Sequence, residues 1–228
     1  MPKMSESDSQ IMKEKLKFYL KWFFGSFIWL GVLVLIIDLV SKLVVVANKD
    51  YITSQGGVVL INNFLRINYV INSNFVFGIG KNNPDSYQAT RIAFCVVALV
   101  IVVGIIFYLV KKWGKTGKMI KACLMMIIAG ALGNVIDRVF YTPQFLGNPY
   151  NGVVDWIDFY GVWKFNFNIA DSAVVIAAIL LIVYMIVVDI IAYRKDTKDK
   201  PKKVKESNEK VLSKTEREKN EFIEKKDD

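Results

Sequence analysis

Four long apolar stretches, separated by polar connections, dominate the pattern along the chain. The first is apolar from residue 22 to residue 37, except for Ser26, and continues past Asp38 and Lys42 to Ala47. At about 1.5 Å per residue, about 20 helical residues cross the hydrocarbon core of a bilayer. The pattern therefore predicts four membrane-spanning helices. They cover residues 22–47, 92–110, 122–137 and 172–188, and we number them spans one to four.

Small residues and cysteines inside the spans are assigned to helix packing. Ala129, Gly130 and Gly133 would let span three approach a neighbouring helix. Cys95 and Cys123 each lie in a strongly apolar span, where a free thiol behaves as a small hydrophobe. We therefore assign all five residues to packing and expect neither a disulfide nor a metal site at the cysteines.

Lysine and arginine placement predicts the orientation in the membrane. Positive charge is dense before span one, in the connection 111–118 and after Tyr193, whereas residues 140–168 contain only Lys164. Because positively charged connections stay on the cytoplasmic side, both termini and the 111–118 connection should be cytoplasmic. The loops at 48–87 and 140–168 are then extracytoplasmic.

The two ends of the chain differ from the membrane domain, residues 21–193. Residues 1–20 carry lysines like those at the start of a signal peptide, and Val45-Val46-Ala47 resembles a cleavage site. The apolar stretch exceeds that of a signal peptide, so a retained helix is expected. The tail, residues 194–228, mixes lysine and glutamate with few apolar residues, which is typical of disorder or of a solvated helix.

Composition narrows the chemistry. The chain is 54% hydrophobic and contains no histidine, which removes the commonest metal ligand and the usual general base. Acid–base chemistry therefore falls to carboxylates or lysines, and no metal or cofactor is expected. The net charge of +9 arises from lysines at the two ends and in one short connection, so we interpret it as a topology signal and expect no nucleic-acid partner.

The outer loops predict a small amount of β-structure. Residues 57–71 alternate well enough for a hairpin or small sheet on the membrane surface, and Gly152–Phe159 (GVVDWIDF) reads as a strand. The predicted fold is an integral membrane protein, mainly α, with four transmembrane helices and a small extracytoplasmic β-layer.

Polar residues are expected to converge at the outer face, where spans one and three end and span four begins. Ionisable groups near hydrocarbon are costly, which makes them functional candidates. Structural roles are open for each: Asp38 and Lys42 share a helix face and would neutralise each other, and Asn168 would cap the helix whose dipole favours Asp171. The candidates are Asp38, Lys42, Asn134, Asp137, Arg138, Asp155, Asp158, Asn168 and Asp171.

Paired carboxylates can hydrolyse a peptide bond without histidine or metal. Two nearby carboxyls share one proton, so one activates water while the other protonates the scissile carbonyl. Asp171, which begins span four beside Ser172, is the best candidate for one member. Asp155 and Asp158 would face opposite sides of a strand, so only one can be its partner, and spacing does not choose between them.

Four segments together resemble the lipoprotein signal peptidases, also called signal peptidase II, which are membrane aspartyl proteases. The likeness covers roughly residues 20 to 193. The segments are Asp38 with Lys42, GNVIDRV at 133–139, VVDWIDF at 153–159 and FNIADSA at 167–173.

The resemblance implies a catalytic dyad of Asp155 and Asp171. It also implies an endopeptidase that cuts prolipoproteins before a cysteine bearing a diacylglyceryl group. We expect a monomer in contact with membrane lipid, located in the bacterial cytoplasmic membrane with its site near the outer face. The residues expected to bind substrate or support the dyad are Asp38, Lys42, Asn72, Asn134, Asp137, Arg138, Asn168 and Ala170.

One segment departs from the family pattern. Such proteins usually carry N-x-G-A-A-F in the first outer loop, where this chain has Asn72 and Phe77 but replaces the small residues with Asn74, Phe75 and Val76. Larger side chains where backbone should approach substrate predict a narrower cleft or an altered substrate preference.

Two other functions are alternatives to proteolysis. An ion-coupled transporter would distribute polar residues through the depth of the bilayer, but span two carries no charge. A non-catalytic assembly factor that grips a partner with its outer loops would tolerate loss of either aspartate. The acids of spans one, three and four lie toward one end, which favours proteolysis over the transporter.

Overall fold

The computed structural model describes residues 6–72, 84–147 and 152–224. They form two compact units, Met1–Leu181 and Ile182–Asp228. The helices are α1 (Glu6–Ser26), α2 (Ile28–Ala47), α3 (Lys49–Ser54), α4 (Pro84–Lys112), α5 (Lys118–Phe140), α6 (Pro143–Leu146) and α7 (Ile169–Glu224). The strands are β1 (Val58–Ile61), β2 (Leu65–Asn72), β3 (Val153–Asp158) and β4 (Asn166–Phe167).

Four helices within these ranges are long and apolar enough to cross a membrane, which confirms the predicted number of spans. Their large apolar side chains are mostly exposed, as expected for helices that face lipid. The spanning segments are Ile28–Ala47, Gln88–Lys112, Lys118–Phe140 and Ile169–Thr197.

Span one starts later than its apolar pattern suggests. Residues 22–26 belong to α1, because Phe27 adopts a left-handed conformation with φ of 59° and separates α1 from α2. The hydrophobic pattern does not reveal such a break, since the residues on both sides of it are apolar.

The tail is helical, because α7 continues to Glu224 in the second unit. Of its two expected states, disorder and a solvated helix, the tail therefore takes the helical one. Lysine and glutamate are good helix formers, which is why the loss of apolar residues does not end the helix.

Close helix contacts form at the predicted small residues of α5. A Cβ atom on Gly130 would lie 2.5 Å from the Ala170 carbonyl oxygen, and one on Gly133 would lie 2.5 Å from Asp38 Oδ2. Both distances are too short for real atoms, so only glycine lets α5 approach α7 and α2 this closely. A Cβ atom on Gly31 of α2 would lie 3.1 Å from the Met125 carbonyl oxygen of α5, which is a tight contact but not an impossible one.

The predicted outer β-layer is a four-stranded antiparallel sheet in the order β1-β2-β3-β4. The predicted hairpin supplies β1 and β2, and the second outer loop supplies β3. Between β2 and β3, Val70 pairs with Asp155 and Asn72 with Val153, after a register irregularity that begins at Ile67. The sheet joins the end of α2 through a buried apolar cluster of Val45, Val46, Ile52, Tyr141, Leu146 and Val154.

Candidate functional site

A three-residue charge cluster lies fully buried between α2 and α5. Lys42 Nζ is 2.7 Å from Asp38 Oδ2 and 2.9 Å from Asp137 Oδ2, and none of the three side chains is exposed. Asp38 and Lys42 share a helix face, as their spacing predicts, and Asp137 is a second carboxylate on the same ammonium group. Asp38 lies near the middle of α2, and the C-terminal half of this helix packs beside the sheet.

The two carboxylates of this cluster also accept hydrogen bonds from backbone amides. Asp38 Oδ1 accepts a hydrogen bond from the Ala170 amide at 2.8 Å, and Asp137 Oδ2 accepts one from the Val154 amide at 3.2 Å. Ala170 and Val154 directly precede Asp171 and Asp155 in the chain. The buried cluster therefore fixes the positions of both segments that carry the expected dyad.

Asn168 and Asp171 cap the start of α7 reciprocally. Asn168 Oδ1 accepts from the Asp171 amide at 2.8 Å, while Asp171 Oδ2 accepts from the Asn168 amide at 3.4 Å. This is a capping-box arrangement, and it confirms the predicted capping role of Asn168. The second oxygen, Asp171 Oδ1, accepts from Asn134 Nδ2 at 2.7 Å. Asp171 is thus both a helix-start residue and a member of the polar site.

Asp155 receives two side-chain amide donors. Asn168 Nδ2 donates to its Oδ1 at 2.7 Å, and Asn72 Nδ2 donates to its Oδ2 at 3.0 Å. The carboxyl group is nearly completely buried. Burial first, and then the negative charge of Asp171, raises the pKa of Asp155 from 3.8 to about 7. The two amide donors oppose this rise but do not cancel it.

The side-chain amides connect the two aspartates. Asn134 Oδ1 accepts from Asn168 Nδ2 at 3.1 Å and from Lys42 Nζ at 3.2 Å, while Nδ2 of the same residue donates to Asp171. Asp155, Asn168, Asn134 and Asp171 therefore form one continuous hydrogen-bonded chain. Lys42 links this chain to the buried charge cluster.

Asp158 lies on the other side of β3. Its Oδ2 accepts from Arg66 Nε and, at 3.3 Å, from Asn68 Nδ2. The strand geometry thus separates Asp155 and Asp158, as their odd spacing predicts. The structure directs Asp155 toward Asp171 and gives Asp158 an ion pair within the sheet.

A cavity of about 250 Å³ opens beside Asp171. One side of it is polar and the other is formed by apolar side chains of α4 and α5. Arg138 lies on its wall, where it donates to the Asn134 carbonyl at 3.1 Å and stacks over the Phe94 ring at 4.9 Å. The cavity is lined by Asn72, Phe94, Ala98, Ala131, Asn134, Val135, Arg138 and Asp171.

Residues 30–187 match the family model described as signal peptidase (SPase) II. The chain belongs to the signal peptidase II family. This confirms the resemblance inferred from the four sequence segments. A signal peptidase is a protease, and the four apolar helices make this one a membrane-embedded protease.

Several bacterial lipoprotein signal peptidases are similar to this chain over most of their length. The protein from Fusobacterium nucleatum subsp. nucleatum is 34% identical over 158 residues, which cover 69% of this chain and 84% of that protein. The Borrelia hermsii protein is 33% identical, covering 76% of this chain and 94% of its own length. The Clostridioides difficile protein is 32% identical, with 70% and 94% covered.

Two solved structures described as a bacterial membrane enzyme share the fold. One superimposes with a TM-score of 0.53 at 27% identity and covers 72% of this chain and 89% of its own. The other has a TM-score of 0.52 at 28% identity, with 72% and 94% covered. Both likenesses support the four-helix architecture with its small sheet.

Sequence reasoning missed four wall residues of this signal peptidase, Phe94 and Ala98 on α4 and Ala131 and Val135 on α5. All four are apolar and lie in apolar stretches, which offer no signal that could distinguish a cavity-facing position from a lipid-facing one. Ser73 to Phe77, which include the departure from the family pattern, lie outside the described residues. Cys95 and Cys123 are both free.

No group of three or more candidate metal ligands (Asp, Glu, Cys or His) occurs within the described ranges. The carboxylates of this signal peptidase are instead engaged by lysine, amide and backbone donors. The arrangement has the parts for acid–base chemistry, namely the carboxyl groups of Asp155 and Asp171 next to a cavity.

Proposed function

We propose that this signal peptidase is an aspartyl endopeptidase whose catalytic pair is Asp155 and Asp171. Its substrate is a prolipoprotein, cut on the N-terminal side of a cysteine that carries a diacylglyceryl group. One observation carries the assignment: a single chain of side-chain amides joins these two carboxylates beside the cavity. Asp158, the other aspartate of β3, is excluded from this chain by its position on the opposite side.

The raised pKa of Asp155 supports one division of roles within the pair. Burial first, and then the negative charge of Asp171, favour the protonated form of Asp155, so we assign the shared proton to Asp155 and the water-activating role to Asp171. Asp171, which lines the cavity, takes a proton from water as the water oxygen bonds to the scissile carbonyl carbon. Asp155 donates its proton to the carbonyl oxygen, giving a tetrahedral intermediate.

Collapse of this intermediate completes the reaction. One hydroxyl of the intermediate returns its proton to Asp155 as the carbonyl re-forms, the carbon–nitrogen bond breaks and the departing nitrogen takes the proton that Asp171 removed from water. The products are the carboxylic acid of the signal peptide and the free amine of the cysteine, and the pair again holds one proton. No histidine, metal or covalent intermediate is needed.

The walls of the cavity suit a substrate with an apolar and a polar part. Phe94, Ala98 and Val135 supply an apolar surface on α4 and α5, suited to a signal peptide or acyl chain. Asn72 and Arg138 supply donors on the same cavity for the peptide backbone. Arg138 and Asn134 are adjacent there, so substrate binding and dyad support share one wall.

Lysine distribution supports the orientation of the chain. Positive charge in the connection between α4 and α5 and in the tail after Tyr193 favours cytoplasmic termini. In this orientation the sheet and the dyad lie near the outer face of the bacterial cytoplasmic membrane. The protein acts there as a monomer on substrates that diffuse within the bilayer. Water reaches the dyad from the outer side.

The direct test is cleavage of a diacylglyceryl-modified prolipoprotein by the purified protein in lipid. Asp155→Asn and Asp171→Asn are each expected to lower turnover by at least about 10²-fold, because asparagine keeps the shape but cannot cycle a proton. Asp158→Asn, on the same strand, is the matched control and should keep a substantial fraction of activity.

Two results would contradict the proposal. Persistent cleavage by both dyad variants would exclude an aspartyl mechanism at this pair. Loss of activity in Asp158→Asn with full activity in Asp155→Asn would show that Asp158, and not Asp155, is the catalytic carboxylate of β3.

A further inference from the structure

α1 carries a broad apolar surface that the rest of the described protein leaves uncovered. Its large apolar side chains are exposed by 49% to 66% at Ile11, Leu16, Phe18, Tyr19 and Trp22. Isolated exposed apolar residues are ordinary, but a continuous set on one helix marks a surface that meets another apolar phase.

The opposite side of α1 is basic. Lys13, Lys17 and Lys21 recur at four-residue intervals, which places them on one helical face, and Glu14 beside them pairs with Lys17 at 3.1 Å. Lys15 lies within the apolar arc and Phe24 within the basic one, so the division has two exceptions. A lysine at the border of an apolar face can extend its ammonium group toward water.

α1 is separate from the first spanning helix but directly joined to it. It is not among the helices apolar enough to cross a membrane. Phe27, with φ of 59°, ends it, and Ser26 Oγ bridges the break by donating to the Phe23 carbonyl at 2.6 Å and accepting from the Ile28 amide at 3.2 Å. One residue therefore separates α1 from a helix within the bilayer, so α1 lies within reach of the bilayer surface.

The C-terminal end of α1 is held against the lysine-rich connection. Trp22 stacks on Trp113 with ring centroids 6.4 Å apart, and Lys121 Nζ lies 4.3 Å from the centre of the Trp113 ring. The connection 111–118 contains four lysines. The end of α1 and this lysine-rich connection therefore lie side by side at one end of the helix bundle.

We propose that α1 is an interfacial helix that binds the anionic lipid of the bilayer surface next to the 111–118 connection. Its apolar side chains enter the boundary between headgroups and acyl chains, and Lys13, Lys17 and Lys21 contact lipid phosphates. A lysine-bearing polar face opposite Phe, Trp and Leu is the arrangement that such helices use. Positive charge next to the spans complements the negative lipids of the cytoplasmic leaflet.

The test uses the full chain in nanodiscs of phosphatidylcholine, with or without phosphatidylglycerol. An environment-sensitive fluorophore is attached at Leu16→Cys on the apolar face, or at Gln10→Cys on the polar face as the matched control, after Cys95→Ala and Cys123→Ala. Retained prolipoprotein cleavage confirms that each labelled protein is folded. Quenching by lipid-attached nitroxide and by aqueous iodide then reports the depth of each site.

The label at Leu16 is expected to be quenched by nitroxide lipid at least about threefold more strongly than the label at Gln10, with added phosphatidylglycerol increasing this difference. Lys13→Gln, Lys17→Gln and Lys21→Gln together should abolish the phosphatidylglycerol effect. Removing three tail lysines instead, by Lys202→Gln, Lys203→Gln and Lys205→Gln, should leave it unchanged.

Three outcomes would overturn the proposal. Iodide access at Leu16 in both lipids would show that α1 is not on the membrane. Shielding of Leu16 from both quenchers would show that protein, such as a second copy of the chain, covers the apolar face. Equal lipid quenching with and without phosphatidylglycerol would exclude recognition of anionic lipid.

Discussion

The side-chain amide of Asn168, at the start of α7, donates a 2.7 Å hydrogen bond to the carboxylate of Asp155 on β3. The same amide group accepts the Asp171 backbone N–H at 2.8 Å. One side chain therefore orients both aspartates of the proposed dyad, and it does so while capping the helix that carries one of them. In this family member, one side chain both caps α7 and contacts the two aspartates of the proposed pair.

Replacing Asn168 should separate these two roles. Asn168→Ser keeps a capping hydroxyl but lacks the amide that reaches Asp155, so turnover should fall while thermal stability remains close to that of the parent. Asn168→Ala loses both and should also lose about 1 kcal/mol of folding stability. Melting in detergent and cleavage rates measure the two effects. Equal stability and equal activity of the two variants would show that the cap and the dyad are not coupled here.

The pH dependence of cleavage should have an alkaline limb set by Asp155. Burial and the charge of Asp171 raise its pKa to about 7, so the proton held by the pair is lost, and activity declines, as pH rises through that value. Asn72→Ala removes a donor that favours the ionised form. The pKa of Asp155 should then rise further, and the alkaline limb should move to higher pH. A limb that moves to lower pH in Asn72→Ala would contradict this assignment of the proton.

The same raised pKa predicts how folding stability depends on pH. A carboxyl whose pKa is higher in the folded than in the unfolded state contributes stability below the unfolded value of 3.8 and loses it as pH rises through about 7. Asp155→Asn, which cannot ionise, should therefore become progressively more stable than the parent between these values. Thermal melts of both proteins across this range measure the difference. A constant difference would show that Asp155 does not titrate there.

Lys42 should be essential to folding. Lys42→Met leaves Asp38 and Asp137 buried without their shared cation, which should cost about 3–5 kcal/mol. The matched control is Lys195→Met, an exposed lysine on α7, which should change melting little. Adding Asp38→Asn and Asp137→Asn to Lys42→Met should restore part of the stability, because the amide oxygens can still accept the backbone donors. No recovery in the triple variant would show that the charges themselves are not the cause.

Gly133 should tolerate no side chain. A Cβ atom there would lie 2.5 Å from Asp38 Oδ2 and 3.3 Å from Ala170 Cβ, so Gly133→Ala must displace the groups that hold the start of α7. Cleavage should fall sharply and the protein should melt earlier. Gly104→Ala on α4, where no atom lies within 4 Å of the added Cβ, is the control and should keep activity. Similar losses in both variants would indicate a general effect of helix stiffening instead.

Local patterns in the sequence were sufficient for several parts of this molecule. The four spans follow from the length of each apolar run. Polar groups are costly in lipid, so a helix that crosses the bilayer needs about 20 consecutive, mostly apolar residues, which the sequence shows directly. The capping role of Asn168 and the opposite facing of Asp155 and Asp158 follow from helix and strand periodicity. The expectation that Asp155 is the partner of Asp171 rests on the family resemblance. Strand periodicity shows that Asp155 and Asp158 face opposite sides, but it does not show which side faces Asp171.

Only the tertiary structure decided how these parts meet. The irregular register between β2 and β3 brings Asn72 to Asp155, the left-handed Phe27 separates α1 from α2, and α4 supplies Phe94 to the cavity. Asp137 and Asp38 hold the Val154 and Ala170 amides through contacts between distant parts of the chain. Such pairings depend on the free energy of the packed whole, in which distant residues compete for the same donors, so no local repeat in the sequence determines them.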